Sequence, residues 1–313
     1  MRVYKSLADV PAEPRGRALA LGTFDGVHVG HRRVIGSAVE HAREQRLTAA
    51  VATFDPHPLQ ILRPDEPPRL LTTTEPKIEL VAGLGVDELI AIPFTPELSR
   101  QSAEDFSDEV LARALGARFV SVGANFHFGH GAAGDAALLR SRPEFETDVV
   151  ELVQHGDGPI SSSRIRSLLE DGDVAGAAQL LGAPYSVAGP VVEGDRRGRD
   201  LDMPTANLEP PPGLILPATG IYAGTATVDG GGEQWPAAVS IGVRPTFGSG
   251  GELRLEAHLI GFEGDLYGRT MALSFLERLR DEERFDSPQE LVAQMKRDVE
   301  QARAAAAATV SRS

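Results

Sequence analysis

The chain has 313 residues, 42% of them hydrophobic, with no cysteine and a formal net charge of −14. That length admits two domains and a sizeable core. The acidic balance makes nucleic acid a poor partner, because affinity for it rests on Lys and Arg neutralising phosphates. The missing cysteines exclude a disulfide framework and thiolate chemistry, as suits a reducing cytoplasm.

The first residues, up to Arg17, lack the apolar core of a signal peptide. No apolar run approaches the ~18 residues of a membrane span, so no membrane is expected as a partner. From there the chain alternates two textures. Strands are predicted at Ala18–Thr23, Ala49–Phe54, Glu88–Phe94, Phe119–Ala124 and Asp148–Val153, and helices at His31–Gln45, Glu75–Leu84, Ala103–Leu115 and Ala133–Arg140. That alternation predicts a doubly wound parallel sheet, in which ligands bind at the carboxyl ends of the strands.

Three motifs fall at those ends. After the first strand comes Gly22-Thr23-Phe24-Asp25-Gly26-Val27-His28-Val29-Gly30-His31. A helix start offers unpaired N–H groups and partial positive charge, which suits a phosphate. Gly22 and Gly30 let the backbone come close, and His28 and His31 can bond an anion without a metal. After the second strand comes Thr53-Phe54-Asp55-Pro56-His57-Pro58, whose prolines stiffen the loop and present His57. After the fourth comes Gly123-Ala124-Asn125-Phe126-His127-Phe128-Gly129. Taken singly, His57 reads as a solvated loop residue and Phe126 and Phe128 as core. A fourth motif, Ile160-Ser161-Ser162-Ser163-Arg164-Ile165-Arg166, opens a helix. Ser162 and Arg166 there make an anion site or, more blandly, an ordinary serine cap. The absence of a Gly-x-x-x-x-Gly-Lys-Ser/Thr run excludes a P-loop.

Short helices at Ser162–Glu170 and Val174–Leu181 close this half, each stopping at a glycine. After Pro184 the strands follow one another: Tyr185–Val192, Ile221–Val228, Ala237–Val243, Leu253–Ile260 and Met271–Leu279. Consecutive short strands with turns between them predict an antiparallel barrel. A last helix is expected from Pro288 to Ala304, with a frayed tail beyond. Pro204-Thr205-Ala206-Asn207 reads alone as a turn. By period two, Glu256 and His258 share one strand face while Leu255, Ala257 and Leu259 share the other, which would leave Glu256 facing solvent.

The four motifs of the first half resemble the HxGH nucleotidylyltransferases. With the second half included, residues 15 to 303 resemble the bacterial bifunctional riboflavin kinase/FAD synthetase family. The resemblance implies a two-part chain: residues 1–183 an FMN adenylyltransferase domain, residues 184–313 a riboflavin kinase barrel with its C-terminal helix. It implies phosphorylation of riboflavin to FMN, then transfer of AMP from ATP onto FMN with release of pyrophosphate.

In the first domain the resemblance makes His28 and His31 catalytic. Gly22, Phe24, Asp25, Gly30, Ser162 and Arg166 become ATP-binding, and His57 and Asn125 flavin-binding. In the second it makes Glu256 the general base toward the riboflavin 5′-hydroxyl, Thr205 and Asn207 the ATP and Mg²⁺ residues, and Arg284 flavin-binding. Small-molecule partners (riboflavin, FMN, ATP), a cytoplasmic location and compatibility with a homo-oligomer complete the expectation. The chain departs from the family pattern at Asp202-Met203 and at Arg244. These departures leave open a synthetase with a weak or non-catalytic flavin-binding, kinase-like barrel. A flavin carrier and a transferase acting on another phosphate ester are the remaining alternatives.

Overall fold

A computed structural model of the protein describes residues 1–193, 203–244 and 252–310. By its internal contacts the chain divides into two compact units, Met1–Ser162 and Ser163–Ser313.

The first unit is built on β1 (Arg2–Tyr4), β2 (Arg17–Leu21), β3 (Thr48–Asp55), β4 (Glu88–Pro93), β5 (Ala117–Gly123) and β6 (Glu146–Val150). They form one parallel sheet in the order β1-β4-β3-β2-β5-β6. The helices are α1 (Val29–Gln45), α2 (Pro58–Leu62), α3 (Thr74–Ala82), α4 (Ala103–Asp105), which continues as a π-helical segment over Phe106–Ala114, and α5 (Ala136–Arg140). A two-stranded ribbon, β7 (Gln154–His155) with β8 (Gly158–Pro159), precedes the boundary. The predicted elements are all present, with ends moved by a few residues.

Strands β2 and β3 read as nearly unbroken apolar runs because both sheet faces are covered. Ala18 and Ala20 turn toward the side of Ile35, Val39 and Val81, whereas Leu19 and Leu21 turn toward Phe106, Leu111 and Val120. Burying a side chain such as Leu111, which has no exposed surface, contributes about 1.5–3 kcal/mol. The chain runs β2, β3, β4 to one side and then returns to place β5 on the other side of β2. The carboxyl end of β2 therefore lies at the reversal point where such sheets open a crevice.

Strand β1 has no counterpart in the sequence reading. Its three residues are too short for a periodic signal, and it is set by pairing with β4 and by the 2.6 Å ion pair of Arg2 with Glu88.

The second unit carries α6 (Ser162–Glu170), whose first residue belongs to the first unit, then α7 (Val174–Leu181), the barrel and α8 (Pro288–Val310). The strands are β9 (Tyr185–Val192), β10 (Ala206–Leu208), β11 (Gly220–Val228), β12 (Trp235–Arg244), β13 (Glu252–Leu259) and β14 (Thr270–Arg280). They close in the order β10-β13-β12-β11-β14-β9. Tyr222, Leu255, Ala257, Leu273 and Phe275 are buried in this unit. Helix α7 packs against β9 and β14, and Asp173 caps it by accepting from the Gly176 N–H at 2.8 Å.

Two expectations change here. The Pro204–Asn207 segment is no simple turn: Ala206–Leu208 forms β10 and seals the barrel between β9 and β13. The tail from Ala304 is not frayed but continues α8 to Val310. Ala302 and Ala306, one turn apart, are buried, and Ala302 packs with Ala223 and Ile260. Of the expected turn regions, residues 194–202 and 245–251 lie outside the described residues, and with them Asp202, as does the side chain of Arg244.

Candidate active sites

The first site grows from the β2–α1 loop. His28 caps α1, its Nδ1 accepting from the His31 N–H at 3.2 Å. The two imidazoles stack with centroids 3.5 Å apart, and Phe24 meets His31 edge-on at 5.3 Å. Gly30 permits this stack: a Cβ there would lie 3.1 Å from Cε1 of His28.

The loop is held in an uncommon backbone conformation. Phe24 and Val27 have φ of +47° and +40°, which costs about 1–3 kcal/mol per residue and persists only where surroundings over-determine it. Asp25 does much of that work. It is buried, and its Oδ1 accepts from the N–H groups of Leu71 (2.9 Å) and Thr72 (3.1 Å), while Thr72 Oγ1 accepts from the Gly26 N–H at 3.0 Å. Asp25 thus anchors the loop from beneath. Ser162 joins it from α6, its Oγ donating to the Asp25 carbonyl at 2.9 Å. Arg166 lies one turn on from Ser162 in the same helix.

Burial depresses both histidines. His28 is lowered to about 4, with Asp25 opposing the shift. His31 is held well below its ordinary value, by burial first and then by the charges of His28 and Lys77. Both rings are therefore neutral at pH 7, and each can donate one hydrogen bond. His31 Nδ1 is a buried atom with no protein partner among the described residues.

Beside this loop opens a cleft of about 510 Å³, lined by Thr23, Phe54, Pro58, Leu98, Phe126 and Phe128 among others. Its walls are mostly apolar and aromatic, as a planar heterocycle requires. Phe128 serves both readings: it is buried in the core and still lines the cleft. His57 and Asn125 frame the cleft without lining it. His57 caps α2, its Nδ1 accepting from the Leu59 N–H at 3.2 Å and its own N–H donating to Gln60 Oε1. Asn125 is exposed in the turn after β5.

One residue of this site escaped the sequence reading. Lys77 of α3 is 8% exposed, and its Nζ donates to the Thr23 carbonyl at 2.9 Å. A single lysine in a helical run reads as solvated. Its burial follows from α3 packing under the loop, which local pattern does not encode.

The second site lies on the outside of the barrel. Glu256 Oε2 accepts from Thr205 Oγ1 at 3.2 Å, and Oε1 accepts from Arg254 at 3.0 Å. The register puts Asn207 and Ser240 directly across from Glu256 on the neighbouring strands. As the alternation predicts, Glu256 points away from the barrel interior. It does not face open solvent, however: α8 packs over β11, β12 and β14, and a cleft of about 250 Å³ remains beneath it. That cleft is lined by Thr205, Glu256, His258, Phe285, Met295 and Asp298 among others. Arg280 clamps α8 to the barrel through a paired bond to Asp298 (3.1 and 2.8 Å) and sits over the Phe285 ring. Arg284 is exposed beside this cleft and does not line it. A second, smaller cleft on the other side of Thr205 runs along Pro204, Ala206, Leu266 and Tyr267.

Among the described residues no cluster of three or more His, Asp or Glu side chains is arranged for a metal. Thr205, Asn207 and Glu256 each carry a side-chain oxygen. They fit a hard divalent cation that takes most of its ligands from phosphate and water.

Comparison with known proteins gives consistent matches. A family model described as FAD synthetase matches residues 10–164, and one described as riboflavin kinase matches residues 181–306. The bifunctional riboflavin kinase/FMN adenylyltransferase of Pseudomonas fluorescens is 34% identical over the full length of both chains. Those of Escherichia coli K12 and Bacillus subtilis are each 36% identical, the former over 95% of each chain, the latter over 94% of this one and 93% of its own. A Streptococcus pneumoniae crystal structure described as a macrolide-efflux protein superposes with a TM-score of 0.87 at 32% identity, covering 96% of this chain and 98% of its own. Among the described residues here no helix is long and apolar enough to cross a membrane.

Proposed function

The chain belongs to the family of bifunctional riboflavin kinases/FMN adenylyltransferases, and from that premise we propose how its two sites divide the chemistry. The protein phosphorylates riboflavin to FMN with ATP, and adenylylates FMN to FAD with release of pyrophosphate. Residues 1–183 carry the second reaction and residues 184–313 the first.

In adenylyl transfer an oxygen of the FMN phosphate attacks the α-phosphorus of ATP, and the bond to the β-phosphate oxygen breaks. That nucleophile is already ionised, so the site needs position and electrostatics rather than a base. His28 and His31 donate to the ATP phosphates from the start of α1, supported by Ser162. Gly22 and Gly30 admit the chain close to the nucleotide. Asp25 acts behind the loop, by holding the strained backbone of Phe24 and Val27. The isoalloxazine ring of FMN occupies the apolar cleft along Phe54, Pro58, Phe126 and Phe128. His57 and Asn125, at its rim, face the flavin phosphate end.

In riboflavin phosphorylation the 5′-hydroxyl attacks the γ-phosphorus, ADP leaves, and the hydroxyl proton must go to a base. Glu256 is that base, worth about 10²–10⁴ in rate. The single observation that carries this assignment is its bond to Thr205 inside the cleft under α8. Thr205 and Asn207 would hold the ATP phosphates and Mg²⁺, which when bound would neutralise phosphate charge. Arg284 guards the flavin entrance. A cytoplasmic setting agrees with the absence of cysteine.

The test is a chromatographic time course of the purified protein with riboflavin, ATP and Mg²⁺. FMN rising first and FAD following is the expected course. FAD formed only from added FMN would return the reading to a synthetase with an inactive barrel.

A further inference from the structure

Adenylyl transfer joins two anions, so the site must supply positive charge where they meet. The two motif histidines do not, because burial keeps both neutral at pH 7. Arginine provides nearly all the cations of this chain, with lysine only at Lys5, Lys77 and Lys296. One of those three is buried at this site.

Lys77 is 8% exposed. Its Nζ donates to the Thr23 carbonyl at 2.9 Å, and the same carbonyl accepts from Thr53 Oγ1 at 3.0 Å. Thr23 belongs to the phosphate-binding loop and also lines the aromatic cleft, so the ammonium, which does not itself line the cleft, lies one hydrogen bond behind its wall. An ammonium has three N–H donors, and Thr23 takes one. Among the described residues no carboxylate oxygen reaches ion-pair distance of it; Asp25 and Asp55 act from farther away, against the desolvation that lowers its affinity for the proton. A buried cation without a paired anion is costly unless a ligand completes it. An arriving phosphate would complete it and favour its charged form.

We propose that Lys77 is a catalytic residue of adenylyl transfer, its ammonium binding the FMN phosphate as that phosphate meets the α-phosphate of ATP. The proposal rests on the adenylyltransferase reading of the first unit and adds to it the cation that the histidines do not provide.

Three substitutions separate charge from anchoring. Lys77→Gln keeps a donor for Thr23 and removes the charge; Lys77→Arg keeps both. Thr53→Val removes only the other donor to Thr23. Lys77→Gln is expected to lower kcat/KM for FMN adenylylation by about 10²–10³, with riboflavin phosphorylation unchanged. Lys77→Arg should recover at least tenfold of that loss, and Thr53→Val should cost less than tenfold. Adenylylation by Lys77→Gln within twofold of wild type would overturn the proposal, as would an equal loss in Thr53→Val, which would make Lys77 an anchor only. If the variants do not fold, the wild-type protein decides. With lysine labelled at the ε-carbon, saturation with FMN and α,β-methylene-ATP should shift the Lys77 resonance and leave Lys5 in place; an unmoved Lys77 would refute the contact. Wild type that makes no FAD at all would instead sink the underlying reading.

Discussion

The imidazoles of His28 and His31 lie face to face, 3.5 Å between centroids and 14° between planes, with the first ring capping the helix that carries the second. Two protonated rings at that distance would repel, and desolvation keeps both uncharged. The pair therefore acts as two oriented donors at a helix start. His28→Asn keeps a capping side chain but loses the stacked ring. It should lower FAD formation by about 10²–10³, leave FMN formation within twofold, and barely move the unfolding midpoint. Steady-state assays of both half-reactions on one preparation check this.

The depressed histidines also give stability a pH dependence. His28 is lowered to about 4 in the folded protein, against about 6.5 in an unfolded chain. As pH falls below about 6.5 the unfolded state takes up a proton that the native state refuses, so stability declines; the decline ends near pH 4, where the native ring protonates too. For His28 the loss is on the order of 3 kcal/mol, and His31 shifts in the same direction. Urea unfolding at a series of pH values should show wild type weakening more steeply than His28→Asn across that window. Equal slopes would mean that the ring is not desolvated.

Gly30 offers a separation of stability from activity. A Cβ there would stand 3.1 and 3.2 Å from two atoms of the His28 ring, so Gly30→Ala must displace the imidazole by a few tenths of an ångström. Alanine is also the better helix former, by up to about 1 kcal/mol. Adenylylation is expected to fall about tenfold while the melting temperature holds or rises. A melting curve and an FAD assay on the same variant test both halves.

Glu256→Gln preserves a side chain able to bond Thr205 and removes the base. Riboflavin phosphorylation should drop by about 10²–10⁴, and conversion of added FMN to FAD should continue at the wild-type rate. A retained kinase rate would move the base elsewhere.

The parts of this molecule legible in its sequence are those fixed by local pattern. The apolar run into Gly22, the glycines and the helix after His28 encode the β2–α1 loop within one stretch of chain, and the motif names its own chemistry. The outward direction of Glu256 follows from strand alternation alone. What covers Glu256 does not: Met295 and Asp298 arrive from a helix some forty residues later, brought by Arg280. Strands β1 and β10 have three residues each and exist because partners on both sheets accept them, not because their own residues demand it. The alanine-rich end of α8 reads as fraying until Ala302 and Ala306 are seen against the barrel side. Lys77 belongs to the same class, since its burial is a property of packing rather than of pattern.

The central claim is that two independent sites act in sequence, and one mixing experiment meets it directly. His28→Asn supplied with riboflavin, ATP and Mg²⁺ should stop at FMN. Glu256→Gln should leave riboflavin untouched but convert added FMN to FAD. The two variants combined in one reaction should carry riboflavin through to FAD. If either variant, properly folded, loses both activities, or if the mixture makes no FAD, the division of labour between the two units is wrong.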